Sequence, residues 1–192
     1  MTTKYTEIRW HGRGGQGTVT AAKLFAEAVL GNGKYVQAFP EYGPERTGAP
    51  IQAFTRLSDQ PIRVHSNVEH PQVVVVLDPT LLEVVDVTQG MPPGGTLLIN
   101  TPAPPAEIRS RFNFNNGCRI YCVDASGISR ETIGKDIPNT PMVGALIRAT
   151  GLLSLDAVLD QLRAQFGKKF AESVVEGNLN AVRRAHEEVR SE

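Results

Sequence analysis

The chain has 192 residues, 20 Lys and Arg against 20 Asp and Glu, four His and 41% hydrophobic residues, a length that fits one full-sized core and excludes two large domains. A formal net charge of zero, with no run of Lys or Arg, removes the positive field on which nucleic-acid binders and anionic membrane surfaces rely, so neither is expected as a partner. The longest aliphatic run, residues 73–77, falls far short of the roughly 20 residues that span a bilayer, and the first residues hold no apolar leader core, which points to a soluble, cytoplasmic protein.

Short apolar runs alternate with helical patterns along most of the chain, the signature of a layered α/β fold with a largely parallel sheet, here expected as one domain over residues 1–192. Residues 7–11 alternate as a strand and lead at once into Gly12-Arg-Gly-Gly-Gln-Gly17. In the following segment Val19, Ala22, Phe25, Ala26 and Val29 recur at helical spacing, and Gly31 is a natural stop. Residues 34–39 form a second expected strand. Residues 40–50, with three prolines and two glycines, form a shaped loop.

Residues 51–57 and 62–65 read as an antiparallel pair joined through 58–61, which would make the sheet mixed. Residues 72–78 are the strongest strand, with four consecutive valines suited to burial on both faces. Asp78 and Pro79 then open a short helix through Val85, with Asp78 as its cap. Strands at 95–100 and 119–124, with a short helix near 106–111 between them, complete the sheet. In the helical C-terminal third Ser154 caps a stripe of Leu155, Val158, Leu159, Leu162 and Phe166, and Phe170, Val174, Val175, Leu179 and Val182 make a second stripe.

Chemistry concentrates in the glycine loop. Gly12, Gly14 and Gly17 match G-x-G-x-x-G between a strand and a helix, where glycine lets the backbone approach an anion and the helix start offers unpaired amides. Arg13 adds a bidentate donor and Gln16 an amide. A dinucleotide site would want an acid at the end of the second strand, where Glu41 stands, although Arg13, Gln16 and the doubled glycine depart from that fingerprint. A tight turn with no ligand is the third reading of the same residues. Cys118 and Cys122, the only cysteines, cannot supply the four thiolates of an iron–sulfur cluster and read as small buried hydrophobes. His11 ends the first strand, where it reads first as a structural histidine and second as a ligand-facing one; His65, His70 and His186 have no acids at metal-ligand spacing, and no nucleophile elbow is present, so neither a metal site nor a catalytic residue is nominated in this chain.

Four segments together, Gly12 to Gly17, Tyr42-Gly-Pro-Glu-Arg-Thr-Gly-Ala-Pro50, Asn139-Thr-Pro-Met-Val-Gly-Ala-Leu146 and Asn178-Leu-Asn-Ala181, resemble the gamma subunit of 2-oxoacid:ferredoxin oxidoreductases, the pyruvate synthase group. The resemblance runs in order over nearly the whole chain. It implies a three-layer α/β/α domain in a complex that oxidatively decarboxylates a 2-oxoacid, with pyruvate first among the candidates, to an acyl-coenzyme A and CO2, with electrons passing to ferredoxin. Thiamine diphosphate with Mg and the [4Fe-4S] clusters then belong to the partner alpha, beta and delta subunits, and this chain alone should be colourless and inactive.

With the resemblance, Gly12, Arg13, Gly14, Gly15, Gln16 and Gly17 are expected to face the coenzyme A path or the junction with the catalytic subunits. Prolines at 40, 44 and 50 limit the unbound freedom of the second loop, so Tyr42, Glu45, Arg46 and Thr47 are expected at a subunit contact. The alternatives are a free-standing NAD-binding oxidoreductase and an assembly module with an empty glycine turn.

Overall fold

The structure, a computed structural model, describes residues 5–41, 48–114 and 117–192. Among them a seven-stranded mixed sheet has the order β2-β3-β1-β4-β5-β6-β7. Its strands are β1 (Thr6–Arg13), β2 (Tyr35–Glu41), β3 (Pro50–Ser58), β4 (Val73–Val76), β5 (Thr96–Asn100), β6 (Arg119–Val123) and β7 (Arg190–Ser191). The helices are α1 (Thr18–Gly31), α2 (Pro105–Arg111), α3 (Ala125–Ile133), α4 (Asn139–Thr150), α5 (Leu155–Phe166) and α6 (Glu172–Glu188). Strands β1, β4, β5 and β6 run parallel in the centre, while β3 against β1, β2 against β3 and β7 against β6 are antiparallel.

The four valines of β4 account for the layering. Val73 and Val75 face Ile8, Trp10, Phe25, Leu98 and Leu146 in a large core that draws on α1 and on α3 to α6. Val74 and Val76 face the other way, toward Leu97, Ile99, Ile108, Ile120 and Cys122. Both faces of the strand are closed to water, and each fully buried valine contributes roughly 1.5–3 kcal/mol. One face of the sheet therefore carries a thick helical layer. The other is covered by α2, a 3-10 helix at Pro79–Glu83 and connecting segments.

Several expectations from sequence are corrected. Residues 62–65 form no strand, because β2 pairs with β3 from Tyr35↔Ser58 to Glu41↔Gln52 and occupies the edge that those residues would need. The helix after Asp78 is 3-10 and ends at Glu83 rather than Val85. Val19 lies on the exposed side of α1, and Phe170 precedes α6 and is exposed, as is Val174. Helix α4 escaped the periodicity argument because Thr140 to Ile147 are buried without interruption, which leaves no polar stripe to mark the helix. No helix among the described residues is long and apolar enough to cross a membrane.

Candidate functional site

The carboxyl ends of β1, β4 and β5 meet the N-termini of α1, α3 and α4 at one edge of the sheet, the place where open α/β sheets hold their ligands. β1 ends at Arg13 and α1 starts at Thr18, so the glycine loop is a four-residue connection. Glycine at position 12 leaves room for the Thr18 hydroxyl, which a Cβ there would overlap and force to turn. Gly17 has φ +78° and caps α1 through its carbonyl, which accepts from Ala21 N at 2.8 Å. Past that cap, the amides of Thr18, Val19 and Thr20 have no intrahelical acceptor and, with the helix dipole, favour an anion. Thr18 Oγ1 is buried and has no hydrogen-bond partner.

Arg13 lies over this edge. Its Nη1 donates to the Gly48 carbonyl at 3.1 Å, its Nη2 donates to Thr80 Oγ1 at 3.0 Å, and its Nε is 3.3 Å from Asp78 Oδ2. Gly14 N donates to the Ala49 carbonyl at 3.2 Å. The end of the proline-bounded segment thus touches the glycine loop, so two of the segments singled out in the sequence meet. Tyr42, Glu45, Arg46 and Thr47 themselves lie outside the described residues. Asn139, from the third segment, starts α4 beside Gly17, while Asn178, from the fourth, bonds the Val174 carbonyl within α6 and belongs to helix packing.

Sequence reasoning placed Asp78 only as a cap. It does cap, accepting from Thr80 N at 3.0 Å, but it also accepts from Gln16 Nε2 at 2.7 Å. Burial alone would push its carboxyl up; hydrogen bonds from the Thr80 hydroxyl, Gln16 and Thr80 N, with the nearby Arg13 charge, together hold it below the ordinary range. The sequence signal was an acid at the carboxyl end of a fully buried parallel strand. Asn100, at the end of β5, donates to the Leu77 carbonyl and to Ser126 Oγ, and so ties β4 to the start of α3.

The other candidates separate. Glu41 ends β2, which lies at the sheet edge with β3 between it and β1, about 10 Å away at the usual strand spacing. It is not the acid beside the first strand that a dinucleotide site requires. His11 and Arg9 project from β1 into a recess of about 510 Å³ that Glu41 and Asp86 also line. Burial, and then the Arg9 charge, push the His11 imidazolium down to about 3, so His11 is neutral. Cys118 and Cys122 are buried in the second core, and burial pushes the Cys122 thiol up to about 12. No group of three or more His, Cys, Asp or Glu gathers among the described residues to hold a metal ion.

Residues 7–188 match the family described as pyruvate ferredoxin/flavodoxin oxidoreductase. The pyruvate synthase subunit PorC of Thermotoga maritima is 51% identical over 187 residues, covering 97% of this chain and 96% of the relative. A subunit gamma common to the pyruvate and ketoisovalerate oxidoreductases of Thermococcus kodakarensis is 48% identical over 166 residues, covering 86% of this chain and 89% of the relative. The crystal structure of the Thermotoga maritima pyruvate oxidoreductase subunit PORC superposes with a TM-score of 0.86 at 45% identity, covering 98% of this chain and 99% of that one. A 2-oxoglutarate:ferredoxin oxidoreductase from Magnetococcus marinus, solved with 2-oxoglutarate, coenzyme A and succinyl-CoA bound, shares the fold at 22% identity with a TM-score of 0.75. This chain covers 30% of that one and is itself 95% covered.

Proposed function

The chain belongs to the pyruvate ferredoxin/flavodoxin oxidoreductase family, and from that premise we propose that its glycine loop holds the phosphates of coenzyme A in a multi-subunit 2-oxoacid:ferredoxin oxidoreductase. The chain is a gamma-type subunit of that oxidoreductase. Its residues 1–192 act as one domain of the complex, in the cytoplasm, beside alpha, beta and delta partners, and ferredoxin receives the electrons. Pyruvate is the 2-oxoacid, in keeping with the name of the 51% identical relative.

The observation that carries this reading is the glycine loop itself: Arg13, whose partly exposed guanidinium is held by Thr80, Gly48 and Asp78, opens the loop, and the loop ends at a helix start with three amides free of intrahelical partners. Coenzyme A brings a pyrophosphate and a 3′-phosphate, and a partly exposed guanidinium in the loop that leads to such amides suits either group. In this role Gly12 to Gly17 orient the anionic end of coenzyme A. Its thiol end can then extend toward a reacting carbon held elsewhere.

Thiamine diphosphate with Mg and the [4Fe-4S] clusters supply decarboxylation and electron transfer from the partner subunits. Two cysteines are fewer than the four thiolates that hold such a cluster, which supports placing the clusters in the partners. The Thermococcus relative, by its name, serves both a pyruvate and a ketoisovalerate enzyme. One gamma chain shared by two substrates fits a subunit that handles the common coenzyme and leaves the choice of 2-oxoacid to its partners. Tyr42, Glu45, Arg46 and Thr47 serve the subunit contact.

The test is Arg13→Ala in the assembled complex. The Michaelis constant for coenzyme A should rise about tenfold, the effect of losing some 1.4 kcal/mol of charge-assisted binding. An unchanged constant in a fully assembled variant would end this assignment.

A further inference from the structure

We propose that Asp78 is the positioning residue of the glycine loop, orienting both the backbone and the side chain of Arg13 through a closed ring of hydrogen bonds. The kinetic consequence drawn below rests on the coenzyme A reading; the ring itself does not.

The parallel pairing of β1 with β4, His11↔Val76 in register, brings Asp78 alongside residues 62 and more positions earlier in the chain. Four side chains and one backbone amide then close on each other. Arg13 N donates to Gln16 Oε1 at 2.8 Å, and Gln16 Nε2 donates to Asp78 Oδ2 at 2.7 Å. Thr80 Oγ1 donates to Asp78 Oδ1 at 2.6 Å, and Arg13 donates to that same Thr80 oxygen from Nη2 at 3.0 Å and from Nε at 3.3 Å.

Two facts set the direction of every bond: an ionised carboxylate only accepts, and the Arg13 backbone N–H and guanidinium only donate. Because Asp78 accepts, Gln16 must turn its amide nitrogen toward it, and so its oxygen toward Arg13 N. Because Asp78 also takes the Thr80 hydroxyl proton, the lone pairs of that hydroxyl are left for the Arg13 guanidinium. One acceptor-only group thereby sets the backbone of Arg13 through Gln16 and its side chain through Thr80.

An amide at position 78 cannot replace it. If the Asn oxygen serves Thr80, the Asn nitrogen faces the Gln16 nitrogen, and Gln16 must flip. The flipped Gln16 then presents a donor to Arg13 N, also a donor. If instead the Asn nitrogen faces Thr80, it takes the place of an oxygen that accepts from both Thr80 N and the Thr80 hydroxyl, so two donors lose their acceptor and the first arrangement, with Gln16 flipped, is the one adopted. Either way at least one donor is left without an acceptor, although Asn matches Asp in shape.

The experiment is a double-mutant cycle of Asp78→Asn and Gln16→Ala in the assembled complex, followed by hydrogen exchange at residue resolution and by coenzyme A kinetics. Each single variant should speed exchange of the Arg13 amide about tenfold, and the double variant should add little, because both break one relay. The Michaelis constant for coenzyme A should rise about tenfold in Asp78→Asn, with the change falling there rather than in kcat. Unchanged Arg13 exchange in Asp78→Asn, or strictly additive effects, would overturn the proposal.

If coupling at Arg13 N persists while Arg13→Ala leaves the coenzyme A constant unmoved, the ring stands and the coenzyme A reading fails. Should Asp78→Asn not assemble, Thr80→Val carries the test. It should weaken coenzyme A binding without speeding exchange at Arg13 N, and fast exchange there would also overturn the proposal.

Discussion

Gly17 and Asn139 approach so closely that a Cβ on Gly17 would lie 2.6 Å from Asn139 Nδ2. This joins the glycine loop to the first residue of α4, so two helix starts share one position. Gly17 also has φ +78°, where an L side chain is strained.

Gly17→Ala therefore meets two costs, and Gly33→Ala, at φ +76° with nothing within 4 Å of its Cβ, meets only the backbone one. We expect Gly33→Ala to lose about 1 kcal/mol and Gly17→Ala about 2–4 kcal/mol, from overpacking added to strain. Urea midpoints of the two variants check the difference. Equal losses would mean that Asn139 moves aside freely.

The packing of α4 on α6 makes a parallel case. A Cβ at Gly144 would overlap the Val182 carbonyl, which is backbone and cannot rotate away. Gly144→Ala should lower stability by about 1–3 kcal/mol, and a loss under half a kilocalorie would show that the helices slide apart at little cost.

These glycines also mark how far a sequence can be read. The strand, glycine loop and helix at the start of the chain are legible because spacing alone, Gly12, Gly14 and Gly17 between two periodic segments, reports them. The valines of β4 likewise announce a central strand. Helix α4 is not legible that way: Thr140 to Ile147 are buried all round, and a helix without a wet side has no period to detect.

Pairing is the other blind spot. Residues 62–65 alternate like a strand, but which segment takes the open edge of β3 depends on β2, which is closer to a full register. Likewise the bond between Gln16 and Asp78 spans 62 positions and exists only because β1 and β4 run side by side. A cap is a local property and is visible in Asp78-Pro79; a partnership made by topology is not.

The two cysteines give a chemical check on the second core. Burial raises both thiols, Cys122 to about 12, and neither takes part in a disulfide. The thiolate is the reactive form, so in the native chain at about pH 8 neither should be alkylated by iodoacetamide over hours, and both should react once urea unfolds it. Mass spectrometry counts the adducts. Rapid native labelling of Cys122 would contradict its burial on β6 in the second core.

His11 gives a pH dependence whose sign is fixed by burial. In the folded chain it stays neutral down to about 3, whereas the unfolded side chain takes a proton near 6.5. Between those values the unfolded state binds a proton that the folded state refuses. Stability contributed by the neutral His11 is thus present above 6.5 and is lost as pH falls toward 3. Its Nε2 has no hydrogen-bond partner, and the neighbouring Arg9 charge adds to the penalty for a second cation. His11→Gln removes this linkage. Relative to that variant, the wild-type chain should lose about 2 kcal/mol of unfolding free energy between pH 7 and pH 5. Chemical denaturation of both proteins at the two pH values measures the difference, and a parallel fall in both would assign the acid sensitivity to other groups.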